Sequence, residues 1–194
     1  MSARDELLAI LVRRSYLREE GKQFRLASGR MSDYYIECSL TTTFPAAQPL
    51  IGALVHACAP AAAVAVGGPT MGADPMAAAT SYFSASTKHP LSWFSVRKAA
   101  KEHGARRWLE GSAEKGDAVV VVEDVITSGG SLIEAVRKCT EEGLVVVHAV
   151  VLVDREENEG RARVEQALVP HGAGLDALFT RSDLERAWQA SRRR

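Results

Sequence analysis

Hydrophobic positions follow two rhythms along the chain. Near the start, Leu7, Leu8, Leu11, Val12 and Leu17 recur at helical spacing, which predicts an amphipathic helix over 5–20, with Ser2 and Asp5 as a capping pair and Gly21 as its stop. The stretch FRLASGRMSDYYIEC alternates imperfectly about a Ser-Gly turn and predicts two short strands or a hairpin. Residues 45–60 read as a helix between prolines. The rhythm then changes. AAAVAVGG, LSWFSV, AVVVVED and LVVVHAVVLVD are apolar runs, largely β-branched, as expected of strands buried on both faces of a parallel sheet. Helical patterns around 73–86, 131–142 and 157–168 separate most of these runs, and LDALFTRSDLERAWQA adds a last strand and helix. The alternation predicts an α/β fold with an open, mainly parallel, twisted sheet flanked by helices.

Composition narrows this picture. The 194 residues, 46% hydrophobic and 25% charged, are expected to form one globular domain over 1–194, with no repeat or interdomain linker. Every apolar run is interrupted within about ten residues, too short to cross a membrane. The N-terminal stretch mixes acids and bases through its apolar positions, unlike a secretory leader, so a cytoplasmic location is expected. Lys plus Arg and Asp plus Glu number 24 each, so no global field draws the chain to nucleic acid. Cys38, Cys58 and Cys139 are widely spaced and odd in number, which favours reduced, buried thiols over disulfides or a protein-built metal site. His148, within an apolar strand, reads as a core histidine.

Candidate chemistry concentrates in AVVVVEDVITSGGSLIEAV, Ala118 to Val136. Ligands of an open parallel sheet bind beyond the carboxyl ends of its strands, where Glu123 and Asp124 fall. Thr127, Ser128, Gly129, Gly130 and Ser131 are small, hydroxylated or free to adopt positive φ, and they lead into a helix whose first N–H groups favour a phosphate. Carboxylates repel phosphate but accept hydrogen bonds from hydroxyls, so the combination suits a sugar phosphate. A structural reading, in which the acids cap the helix, stands beside this one. No G-x-x-x-x-G-K-[ST] occurs, which argues against a P-loop nucleotidase.

VVVVEDVITSGGS resembles the 5-phosphoribosyl-1-pyrophosphate (PRPP) signature of type I phosphoribosyltransferases. FSVRKAAKEHGARRWLEG carries Arg97, Lys98, Lys101 and His103 in the order R-K-x-x-K-x-H-G and resembles the mobile catalytic loop of orotate phosphoribosyltransferases. FRLASGRMSDYYIE is similar to that family's S-G-R-x-S-x-Y-Y element, and VLVDREENEG places Arg155 where the family has an orotate-contacting arginine. LFTRSDL resembles the family's closing strand and helix. The likeness runs in order from about residue 5 to residue 187.

The resemblance implies a type I phosphoribosyltransferase fold, with an N-terminal hood over about 1–40 and a lid over about 97–117. It implies transfer of the phosphoribosyl group from PRPP to orotate, giving orotidine 5′-monophosphate and pyrophosphate. PRPP would be bound by Arg97, Lys98, Lys101, His103, Glu123, Asp124, Val125, Ile126, Thr127, Ser128, Gly129, Gly130 and Ser131. Lys101, Asp124 and Glu123 would be catalytic, and Tyr35, Thr127 and Arg155 would bind orotate. Mg²⁺ is the implied cofactor, without assigned protein ligands, and a homodimer sharing its lids in trans is the implied assembly. Met71, in GGPTMGAD, and Ala27 stand where many relatives carry lysine, which removes cationic contacts to the pyrophosphate end. Alternative readings are a phosphoribosyltransferase for another nucleobase and a PRPP-sensing regulator. As ordinary sequence, RKAAKEHGARR would be a solvated surface helix, and Tyr34 and Tyr35 adjacent strand residues facing opposite ways.

Overall fold

The computed structural model describes residues 1–18, 21, 23–25, 31–99 and 108–193. The first helix, α1 (Ala3–Arg14), opens with the expected capping box. Ser2 accepts from the Asp5 N–H, and the Asp5 carboxylate accepts from the Ser2 backbone. It ends earlier than its apolar spacing predicts, and Gly21 is not its stop. Tyr16–Leu17 (β1) leaves the helix to pair antiparallel with Tyr35–Ile36 (β4), Tyr16 opposite Ile36. The gain is burial, since Tyr16 and Ile36 are almost wholly covered and the Tyr16 ring stacks on Tyr34 with centroids 5.7 Å apart. Non-local contacts thus override helix periodicity here. The expected hairpin is present as Phe24–Arg25 (β2) paired with Met31–Ser32 (β3).

After a short helix α2 (Ser39–Thr42) and helix α3 (Gln48–Cys58), the chain builds a six-stranded sheet. Its elements are β5 (Ala65–Pro69), α4 (Asp74–Ser84), β6 (Ser92–Val96), β7 (Leu109–Gly111), β8 (Ala118–Ile126), α5 (Gly130–Glu141), β9 (Val145–Asp154), α6 (Gly160–Leu168), β10 (Gly174–Thr180) and α7 (Arg181–Arg192). The spatial order is β10-β9-β8-β5-β6-β7, parallel throughout except for the β6–β7 pair. The expected open, mainly parallel sheet is therefore present. Two boundaries differ from expectation. The polar connection after β6 contains β7, which adds an antiparallel edge strand, and α6 starts at Gly160 because Glu156, Asn158 and Glu159 take left-handed φ of 56°, 52° and 53°.

Alternation along the strands divides the core. Val120, Val122, Val150 and Leu152 face one layer with residues of α1, α3, α4 and α7, while Val119, Val121, Ala149 and Val151 face the other with Leu132, Ala135 and Cys139 of α5 and Val164 and Leu168 of α6. Because both faces are covered, every residue of these runs must be apolar, which explains the unbroken valines. The acids Glu123 and Asp124 of β8 and Asp154 of β9 fall at or near strand ends, whereas His148, inside β9, is only part-buried and meets Asp176 of the neighbouring edge strand β10 at 3.0 Å. No helix among the described residues is long and apolar enough to cross a membrane. All three cysteines are free, two of them buried, and burial pushes Cys139 up to about 12 and Cys58 to about 11.

Candidate active site

The strand order sets the location of the site. From β5 the chain moves outward through β6 to β7, then returns to place β8 on the other side of β5. The sheet's direction of growth reverses between β5 and β8, leaving a crevice beyond their carboxyl ends. A cleft of about 360 Å³ occupies this position. Its walls come from Pro69–Gly72 after β5, Val96–Lys98 at the end of β6, Glu123 and Asp124 of β8, and Ser131, Glu134, Ala135 and Lys138 of α5. Arg97, Lys98, Glu123, Asp124 and Ser131, all expected site residues, are thereby brought together.

Glu123 is 5% exposed, and the Asp124 N–H donates to its Oε1 at 3.3 Å. Burial, reinforced by the neighbouring Asp124 charge, raises Glu123 to about 8, against which a Ser131 hydroxyl bond acts. Asp124 is also raised, first by burial and further by the charge of Glu37, which no sequence pattern had linked to it. The Asp124 carboxylate abuts Gly72 of the loop after β5. The cleft therefore holds two carboxylates that are hard to ionise together.

Val125 and Ile126 complete β8, and residues 127–130 carry the chain to α5. Gly129 takes φ 76° at the N-cap, a conformation costly for residues with a Cβ. Among the described residues no side chain caps this helix start, so its first N–H groups stay available to an anion, with Ser128, Gly130 and Ser131 exposed beside them.

A second cluster lies at the end of the adjacent strand, β9. The Arg155 N–H donates to the Ile126 carbonyl at 3.0 Å, tying this cluster to the loop. Arg155 is buried, one of its terminal nitrogens lies 3.3 Å from Glu157, and its Nε has no hydrogen-bond partner among the described residues. The Tyr34 hydroxyl donates to Glu157, and the guanidinium carbons of Arg155 and Arg181 each stand 5.7 Å from the Tyr34 ring centroid. Tyr35 instead stacks on Phe24 at 6.1 Å, so the tyrosine in this cluster is Tyr34.

Of the remaining expected residues, Lys101 and His103 lie outside the described residues, as does Ala27. Met71 is 81% exposed at the cleft and brings no charge. Arg97 lines the cleft, but its guanidinium is paired with Glu110 at 2.7 Å. Lys138, at the back of the cleft, was not anticipated: lysine in an amphipathic helix ordinarily signals solvent. Among the described residues no group of three or more His, Cys, Asp or Glu is placed to hold a metal.

Comparison with known proteins assigns the class and then the family. The phosphoribosyl transferase domain matches residues 60–166, a span running from before β5 through most of α6 and so including most of the cleft, which makes this a phosphoribosyltransferase. The orotate phosphoribosyltransferase of Aquifex aeolicus is 38% identical over 185 residues, covering 95% of this chain and 98% of that protein. The Mycobacterium tuberculosis orotate phosphoribosyltransferase crystallised with PRPP superposes with a TM-score of 0.73 at 31% identity, over 95% of this chain and 99% of that one. The same protein with Fe(III) dicitrate gives a TM-score of 0.78 at 34% identity, over 94% and 99%. The chain belongs to the orotate phosphoribosyltransferase family.

Proposed function

We propose that this protein transfers the 5-phosphoribosyl group of PRPP to orotate, releasing pyrophosphate and forming orotidine 5′-monophosphate for pyrimidine nucleotide synthesis. The observation that carries this reading is the paired Glu123 and Asp124 beside an uncapped helix start at the sheet's switch point. That arrangement offers acceptors for two ribose hydroxyls and donors for a 5′-phosphate.

In the reaction, the bond from the anomeric carbon to pyrophosphate breaks with its electron pair going to the pyrophosphate oxygen, a bond to an orotate ring nitrogen forms, and the proton of that nitrogen passes to the departing pyrophosphate or to solvent. Positive charge develops on the ribose and negative charge on the departing pyrophosphate. Glu123 and Asp124 hold the ribose hydroxyls and oppose the positive charge, while residues 127–131 cradle the phosphate. Arg97, Lys98, Lys101 and His103 offset the pyrophosphate charge. Arg155 meets the anionic orotate, to which its unpartnered Nε offers a donor, and Thr127 and the chain about Tyr34 and Tyr35 complete that pocket.

The donor set also fits Mg²⁺, which prefers a few carboxylate oxygens together with substrate phosphates over an all-protein cage. Asp124, with the oxygens of PRPP itself, would hold it. When bound, Mg²⁺ supplies countercharge to pyrophosphate.

A homodimer whose lids reach the partner's site completes the reading, within a single domain over 1–194 carrying an N-terminal hood over about 1–40. Tyr82, 88% exposed, and Trp93 line a groove of about 950 Å³ on the α3–α4 side, an apolar surface of the kind a second copy covers. Free thiols fit a cytoplasmic location. The test incubates the protein with PRPP, Mg²⁺ and orotate and follows loss of orotate absorbance, with adenine, guanine, hypoxanthine and uracil as competing acceptors. Equal turnover of a purine overturns the acceptor, and turnover unaffected by a chelator overturns the cation.

A further inference from the structure

Lys138 is 5% exposed on α5, and its ammonium is fully engaged. It donates to the carbonyl of Arg97 at 2.9 Å and to that of Lys98 at 3.2 Å. It stands 4.1 Å from the Trp108 ring centroid, with Glu134 Oε1 at 3.5 Å. Just past the end of α5, the carboxylate of Glu142 accepts from the backbone N–H of Trp108 at 2.8 Å, and the Arg97 backbone N–H donates to the Trp108 carbonyl at 2.8 Å. The chain leaving β6 and the chain entering β7 are thus tied to each other and to α5, the helix whose first turn forms the phosphate cradle.

We propose that Lys138 is a positioning residue for the pyrophosphate-facing cations of the reaction assigned above, on which this inference rests. Peptide units are planar, so fixing two successive carbonyls fixes the planes on both sides of Lys98 and the direction in which Arg97 and Lys98 leave the strand. Charge-assisted bonds to neutral carbonyls make that restraint stronger than an ordinary turn would supply. With its three donors directed at the Arg97 and Lys98 carbonyls and the Glu134 carboxylate, and its charge set against the Trp108 ring, Lys138 acts through these neighbours and not by contact with substrate. The restraint matters more here because Met71 leaves the opposite wall of the cleft without a cation, so the work falls on residues whose placement Lys138 controls. A buried ammonium is costly unless its partners are in place, which couples the orientation of this segment to the packing of α5.

The experiment compares Lys138→Met, which keeps the stem and removes the ammonium, with Lys138→Arg, which restores charge and donors. Misplacing the Arg97–Lys98 segment is expected to lower kcat/KM for PRPP about 10-fold or more. The KM for orotate should stay within about twofold, with partial recovery in Lys138→Arg. In a Trp93→Phe, Trp188→Phe background, where Trp108 is the sole tryptophan, Lys138→Met should also shift Trp108 emission to the red. Wild-type kinetics in Lys138→Met, or equal losses toward PRPP and orotate, overturn the positioning role while leaving the reaction standing. If Lys138→Met does not fold, Trp108→Leu removes the ring facing the ammonium and must show the same split, unchanged kinetics again overturning the role. A wild-type protein unable to consume orotate with PRPP overturns the assigned reaction and this role with it.

Discussion

Gly160, the first residue of α6, lies so close to Thr127 that a Cβ on it would stand 2.4 Å from the Thr127 carbonyl oxygen. The obstructing atom belongs to the backbone of the loop that leads to the phosphate cradle, so it cannot swing aside as a side-chain tip would. Gly160→Ala must displace residues 127–129 or α6. Overpacking of this kind costs about 1–3 kcal/mol. The expected result is a lower melting temperature together with a raised KM for PRPP and little change in the KM for orotate. An unchanged PRPP KM would show that the two elements adjust without moving the cradle.

Asp124→Asn should act differently, because it removes charge and preserves shape. The positive ribose charge exists mainly in the transition state, so the loss belongs in kcat, with a smaller effect on PRPP binding. A single charge-stabilising group is commonly worth about 10²-fold or more in rate. Steady-state kinetics on the folded variant decide the point, and undiminished kcat would reduce Asp124 to a structural acid.

The strand-end site was legible because the sheet made it so. β8 and β9 are buried on both faces, so their valine runs announce parallel strands, and Glu123 and Asp124 stand out as the first charges permitted after them. The Ser2–Asp5 box was readable from spacing alone. What sequence could not reveal depended on distant partners. Tyr16 leaves a helical pattern to meet Ile36, a choice made by pairing across 20 positions. Leu109–Gly111 is too short to show alternation and becomes a strand only against β6. Lys138 follows the same logic, since its burial is fixed by carbonyls about 40 positions earlier, at Arg97 and Lys98.

Glu123 sets the sign of the pH dependence of the free protein's stability. In the unfolded chain it ionises near the ordinary 4.5, whereas burial and Asp124 hold it near 8 in the folded state. Between those values the folded state binds more protons, so its stability is fully present below the lower value and declines as pH rises through the upper one. Glu123→Gln removes Glu123's part of this dependence and leaves that of Asp124, which burial also raises. Thermal unfolding from pH 5 to 9 should therefore show the variant gaining on the wild type as pH rises, and parallel curves would refute the assignment.

The proposed sharing of lids makes a quantitative prediction. Arg97 and Trp108 are tied to each other at the base of the connection, and the chain between them, if extended out and back, would reach roughly 15 Å, enough to meet a subunit packed beside it. In a closed two-fold pair, each site would then combine one subunit's lid with the other's PRPP loop. Lys101→Ala disables the lid and Asp124→Asn disables the loop, each leaving little activity alone. In a mixed dimer one site collects both defects and the other collects neither. Random exchange makes about half the dimers mixed, each with one intact site, so about a quarter of wild-type activity should return. If each lid served its own subunit, every site would keep one defect and mixing would restore nothing. Activity that stays flat across mixing ratios, with exchange verified by mass spectrometry of tagged subunits, would therefore refute the shared site while leaving the chemistry at Glu123 and Asp124 untouched.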